Sequence, residues 1–145
     1  MSVIPRALLV SFVPVSVICA QEACPRAFLP AYAHNDYENE RPLADALGLG
    51  YRGVEVDVFL LDSVLRVDHD AKSARRRKPF ESVYLAPLRA LVGRCGHLTA
   101  DHRPFLVAIE LKERSEETFD SLSALLSRYS DLFAESFAPR LQRSQ

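Results

Sequence analysis

Two hydrophobic patterns take turns along this chain. One has period two, the mark of a strand; the other recurs every three or four positions, the mark of a helix. Residues 28–34 (FLPAYAH) read as a strand ended by the turn-forming pair Asn35-Asp36. Residues 41–50 (RPLADALGLG) read as a helix, with Pro42 in the first turn, Leu43, Ala46 and Leu47 on one face, and Gly48 or Gly50 as the stop. Residues 53–61 (GVEVDVFLL) form a second strand, and 64–70 (VLRVDHD) continue it as a hairpin or extension past a turn at Asp62-Ser63. Residues 86–96 predict a short helix ending near Gly93 or Gly96, and 104–112 (PFLVAIELK) a third strand rich in apolar and β-branched residues. Ser115 then caps a last helix that has Glu116 and Glu117 in its first turn. Its apolar stripe is Phe119, Leu122, Leu126, Tyr129 and Phe133. Strands alternating with helices predict an α/β fold, a parallel sheet with helices packed outside it.

The strand period also sorts the polar residues. Tyr32 and His34 share a face of the first strand, Glu55 and Asp57 of the second, and Glu110 and Lys112 of the third. The opposite faces carry Ala31 and Ala33, then Val54, Val56 and Val58, then Val107, Ile109 and Leu111, which suit contact with covering helices. Each polar set lies at or near the C-terminal end of its strand, where barrels and open α/β sheets build their sites. Singly, each is ordinary: a Glu-x-Asp is more often a solvated edge, a His-Asp a hydrogen-bonded turn, a Glu-x-Lys an ion pair of low value. Together they predict a site. Three carboxylates, Glu55, Asp57 and Glu110, repel one another unless a cation joins them. Oxygen ligands without thiolates point to one divalent Ca²⁺ or Mg²⁺. His34 and His69 can flank that ion as general base and general acid, and Lys112 can neutralise an anionic substrate. These parts suit metal-assisted cleavage of a phosphodiester.

Composition changes the picture at the N-terminal end first. Residues 1–20 hold a single charge, Arg6, an apolar run over 7–18, then Cys19-Ala20 before the polar Gln21-Glu22. That is the layout of a secretory signal cut after Ala20, leaving 21–145 as the domain and placing the chain in a secreted or periplasmic setting. A lipoprotein anchored at Cys19 or an uncleaved membrane anchor is the alternative. The whole chain has 18 Lys and Arg against 19 Asp and Glu, a formal charge of −1, which offers no argument for nucleic acid as a partner. Cys24 and Cys95 are either two unrelated thiols or a disulfide of an exported protein. The basic run over 72–78, with Lys72, Arg75, Arg76, Arg77 and Lys78, reads as a solvated loop or as a patch for an anionic headgroup or membrane surface.

The stretch AHNDYENERPLADALGLGYRGVEVDVFLLDSVLRVDHD, followed later by AIELK, resembles the glycerophosphodiester phosphodiesterase-like family. That family sits in the barrel group that includes phosphatidylinositol-specific phospholipase C and the spider-venom phospholipase D type. The AHNDY start is most similar to the branch of altered-inheritance-of-mitochondria-6-like proteins. The resemblance implies a β/α barrel, with His34 and His69 as the acid/base pair, Glu55, Asp57 and Glu110 as metal ligands, and Lys112 on the phosphate side. It also implies attack on phosphorus by water or by a neighbouring substrate hydroxyl. The substrate would be a glycerophosphodiester or phospholipid-type diester. Asn35-Asp36 stand where the glycerophosphodiesterases carry an Arg-Gly that helps hold phosphate, so Asn35 is the substrate-side residue at that position. A full (β/α)8 TIM barrel needs about 250 residues. The pattern here accounts for about three β/α units, and the expectation is a truncated, partial barrel that self-associates through its open edges. A non-catalytic phosphate- or lipid-binding module and a structural partial barrel needing a partner are the rival readings.

Overall fold

The computed structural model describes residues 24–113 and 115–133. The leader read over 1–20 lies outside the described residues. Four strands make one sheet: β1 (Leu29–Ala33), β2 (Tyr51–Leu61), β3 (Val64–Val67) and β4 (Leu106–Leu111). The helices are α1 (Ala44–Gly48), α2 (Ala71–Ala74), α3 (Ala86–Cys95) and α4 (Glu116–Ser127). Among the described residues no helix is long and apolar enough to cross a membrane.

β2 is the spine. It pairs in parallel with β1 (Tyr32 beside Gly53, Ala33 beside Val54) and with β4 from Gly53–Leu106 to Val58–Leu111. Gly53 has a strand on each side, which explains its lack of a side chain. A Cβ there would meet the Leu106 carbonyl oxygen at 2.8 Å and the Tyr32 Cβ at 3.2 Å. Beyond Val58 the parallel pairing ends, and β2 runs on into an antiparallel hairpin with β3, Leu61 beside Val64. Asp62 (φ 51°) and Ser63 (φ 60°) turn it, both left-handed as a two-residue hairpin with matching twist requires.

The even positions of β2 make the core. Val54, Val56 and Val58 are fully buried, joined in one cluster with Leu47 of α1, Leu88 of α3 and Leu122 of α4. α1 follows the expected pattern, with Leu43, Ala46 and Leu47 buried. Phe80 and Tyr84 add two fully buried rings, the second from a π-helical turn (Glu81–Leu85) that leads into α3. Cys24 and Cys95 are disulfide-bonded across a separation of 71 residues, which ties the start of the described chain to the end of α3.

Two local expectations need correction. The basic run over 72–78 is not simply a loop. Asp70 caps α2, its carboxylate accepting from the Lys72 and Ser73 backbone N–H groups, and Ala74 is buried against Phe59 and Leu61. Arg75 pairs with Asp62 (2.9 Å) and Arg77 with Asp68 (3.0 Å). In α4, capped as expected by Ser115, the residues facing the core are Thr118, Leu122 and Leu125, with Phe119 and Leu126 at the margin. The helix ends at Ser127, so the period does not carry through to Phe133, which is exposed. Tyr129 is buried instead by a turn, its hydroxyl donating to Glu81 (2.9 Å) and its ring beneath Arg89.

Candidate metal centre and flanking histidines

The odd positions of β2 face the other way and carry the polar set. Parallel register sets Asp57 beside Glu110 and Glu55 beside Ala108, so all three carboxylates lie on one face near the end of the parallel pairing. One oxygen from each of Glu55, Asp57 and Glu110 lies within 4.8 Å of the others. The Asp57 side chain is 1% exposed and that of Glu110 56%, so the cluster is rooted in the sheet and opens to solvent.

Both histidines come to this face by different routes. His34 follows β1 directly, and its Nε2 lies 3.9 Å from Oε2 of Glu55. His69 is brought back by the hairpin: the Asp68 backbone N–H donates to the Asp57 carbonyl at 3.3 Å, and His69 Nδ1 then stands 2.7 Å from Asp57 Oδ2. An ionised carboxylate only accepts, so Nδ1 carries a proton and donates it to Asp57. Asp68, whose carboxylate accepts from Arg77 and from the Asp70 N–H, holds that loop in place. The two histidine side chains are 74% and 65% exposed, free to meet a ligand above the carboxylates.

Lys112, just past β4, reaches into the cluster, its Nζ 3.0 Å from Asp57 Oδ2 and 3.2 Å from Glu110 Oε1. Burial alone would push the Asp57 carboxyl up, but hydrogen bonds from Lys112, His69 and Tyr37 outweigh it and hold it below the usual carboxylate range. Burial opposes the charged form of Lys112 as well, and its bonds to Asp57 and Glu110 more than reverse this. Asn35 contributes its backbone rather than its side chain. It sits in the left-handed region (φ 49°) and its N–H donates to Glu55 Oε2 at 2.8 Å.

Three residues of the assembly, Asp36, Tyr37 and Tyr84, were not legible as site residues. Tyr37, 2% exposed, donates its hydroxyl to Asp57 Oδ2 at 2.8 Å. Asp36 is fully buried, and its Oδ2 accepts from the Leu43 N–H (2.6 Å) and the Tyr84 hydroxyl (2.9 Å). A turn reading of Asn35-Asp36 accounts for the backbone there but says nothing of Tyr84 arriving from 48 positions away.

The donor set fits a hard divalent cation. All three carboxylates offer oxygen, and Asp57 Oδ1 is buried with no hydrogen-bond partner, an orphan that is costly unless a cation meets it. Glu55, Asp57 and Glu110 are the residues that would hold the ion.

Comparison with known proteins places the chain in a family without assigning a role to any of these residues. The family model for the AIM6-like phosphodiesterase domain matches residues 26–103, a span that takes in His34, Glu55, Asp57 and His69 but ends before Glu110 and Lys112. The altered inheritance of mitochondria protein 6 homolog of Arthroderma benhamiae is 32% identical over 66 residues, covering 41% of this chain. The match spans 21% of that relative, about a fifth of its length. No solved structure matches.

Proposed function

This chain belongs to the AIM6-like phosphodiesterase domain family, a hydrolase family by its description, and on that footing we propose that it is a metal-dependent phosphoric diester hydrolase. Its substrate is a glycerophosphodiester or phospholipid-type diester, and its cation is Ca²⁺ or Mg²⁺. The observation that carries the reading is the convergence of Glu55, Asp57 and Glu110, with Asp57 Oδ1 unpartnered, beside His34 and His69.

The bound cation supplies Lewis-acid stabilisation of the phosphate charge. The rest falls to the chain's own residues. His69 Nε2 takes the proton of the attacking hydroxyl, from water or from the substrate itself, as its oxygen bonds to phosphorus. His34 gives a proton to the leaving oxygen as that P–O bond breaks. Lys112, released from Glu110, neutralises a non-bridging phosphate oxygen. Asn35 holds Glu55 from its backbone, which fixes that carboxylate on the substrate side.

The four-stranded sheet is then one arc of a β/α barrel. Supporting this are the parallel β1–β2–β4 arrangement, the polar set at the C-terminal end of the parallel pairing, and outer edges of β1 and β4 that pair with no strand among the described residues. An oxidising, exported setting is supported by the Cys24–Cys95 bond together with the leader pattern of residues 1–20. The basic run of residues 72–78 keeps Lys72, Arg76 and Lys78 for an anionic membrane surface, since Arg75 and Arg77 are engaged in ion pairs.

Hydrolysis of bis(p-nitrophenyl) phosphate, measured with Mg²⁺, with Ca²⁺ and with EDTA, tests the proposal. Turnover should need the cation, and His34→Ala or His69→Ala should lower it by roughly 10²–10⁴ while cation binding persists. Hydrolysis indifferent to EDTA and to both substitutions overturns it. The open, solvent-facing site favours one rival, a phosphate-binding module, which would show cation-dependent affinity for the diester without turnover.

A further inference from the structure

We propose that Tyr37 is a positioning residue that divides the two oxygens of Asp57, pinning Oδ2 so that Oδ1 alone is presented to the cation. The inference rests on the cation site proposed above and goes a step further, to how that site chooses its ion.

The hydrogen bonds of Asp57 are lopsided. Oδ2 takes three partners: the Tyr37 hydroxyl at 2.8 Å, His69 Nδ1 at 2.7 Å and Lys112 Nζ at 3.0 Å. A carboxylate oxygen has two lone pairs, which the Tyr37 and His69 hydrogen bonds fill, with Lys112 beside them as an ion pair. Oδ1, equally buried, has none. Of the three donors, His69 and Lys112 stand on exposed or partly exposed side chains that a substrate can draw away. Tyr37 is 2% exposed and does not leave. Its hydroxyl is therefore the fixed member, the one that keeps the carboxylate from rotating when the other two respond to ligand.

The turn that carries Tyr37 is built to be rigid. Asn35 N–H holds Glu55, Tyr37 holds Asp57, and Asp36 between them is anchored from beneath by Tyr84 and the Leu43 N–H. A single turn (35–38) thus sets the orientation of two of the three carboxylates. An aspartate confined to one oxygen suits the compact octahedral shell of Mg²⁺, whereas Ca²⁺ accepts bidentate carboxylates and irregular geometry. Tyr37 accordingly biases the site against the larger ion.

Calorimetric titration of the full chain with MgCl₂ and with CaCl₂ tests this, comparing Tyr37→Phe with Tyr84→Phe. The first should weaken Mg²⁺ binding by about tenfold or more and Ca²⁺ binding less, shifting the ratio of the two dissociation constants towards Ca²⁺. Tyr84→Phe, which removes the buried hydroxyl that anchors Asp36 of the same turn without touching Asp57, should lower stability and leave the ratio in place. Equal effects on both ions, no effect, or the same shift in both variants overturns the role of Tyr37. If the unaltered chain binds neither ion, the cation reading itself falls and this inference with it. A measurement on the unaltered chain does not depend on a variant folding. With ¹³C-carboxyl aspartate, the infrared difference on adding Mg²⁺ should show the two carboxylate stretches moving apart, the signature of one-oxygen binding. Their moving together means both oxygens bind, and overturns the proposal.

Discussion

Lys112 carries the only ammonium within reach of Asp57 among the described residues, and without a cation it is the group that offsets the charge of Asp57 and Glu110. Lys112→Met should therefore destabilise the cation-free chain by about 1.5–3 kcal/mol, the cost of taking one charged contact from a buried carboxylate that keeps Tyr37 and His69. Added Ca²⁺ or Mg²⁺ should recover most of the loss, and urea unfolding with EDTA and with each ion measures both effects. A loss that no cation restores would separate Lys112 from the cation site. Acid should act on the same residues. Burial raises the Asp57 and Asp68 carboxyls, but hydrogen bonds override it, chiefly from Lys112 and His69 at Asp57 and from the Asp70 N–H and Arg77 at Asp68. Both stay below their ordinary value, so the folded chain binds fewer protons than the unfolded one. Their contribution is present above the unfolded value of about 3.9 and is lost as pH falls through the lower folded values. Urea midpoints measured from neutrality downwards should fall below about pH 4, and more gently in Asp68→Asn.

At the scale of elements, the hairpin of β2 and β3 is what returns His69 to Asp57. Its turn places two non-glycine residues, Asp62 and Ser63, at positive φ. Ser63→Gly should relieve that strain and stabilise the chain by about 0.5–1 kcal/mol, read from the urea midpoint with the slope unchanged. The strands were legible because alternation over GVEVDVFLL and LVAIEL leaves one consistent face assignment, and the register between them follows from burying the valines. α2 was not legible. One turn of helix has too few positions to show a period, and it depends on a cap at Asp70 and on Ala74 meeting Phe59 and Leu61 from β2. The α4 stripe drifted for a related reason: the helix stops at Ser127, and a turn rather than the 3.6-residue period buries Tyr129.

For the whole molecule, the Cys24–Cys95 bond closes most of the sheet into one loop. Removing it constrains the unfolded chain less and should cost about 3–4 kcal/mol, seen as a lower melting temperature in dithiothreitol and in Cys95→Ser. A melting temperature indifferent to reduction would mean the two cysteines do not pair in solution. The outer edges of β1 and β4 meet no other strand among the described residues, and Tyr32 and Leu106 beside them are 51% and 49% exposed. Such edges pair with further chain when it is offered. Sedimentation velocity should show mass rising with concentration, and a single monomeric species throughout would argue against open edges.

The sequence by itself determined the α/β alternation, the face that is polar and the residues on it or at its strand ends: His34, Glu55, Asp57, Glu110 and Lys112, with His69 added by the hairpin extension. Side-chain direction in a strand follows position with period two, so the polar face can be read without coordinates. Only the tertiary structure decided which oxygen of Asp57 is held and which is left unpartnered, that Tyr37 does the holding, that Asn35 acts on Glu55 through its backbone, and that Cys24 meets Cys95. Those are contacts between residues up to 71 positions apart, or between single atoms of one group. Their distances depend on how the whole chain packs, and no local pattern encodes them.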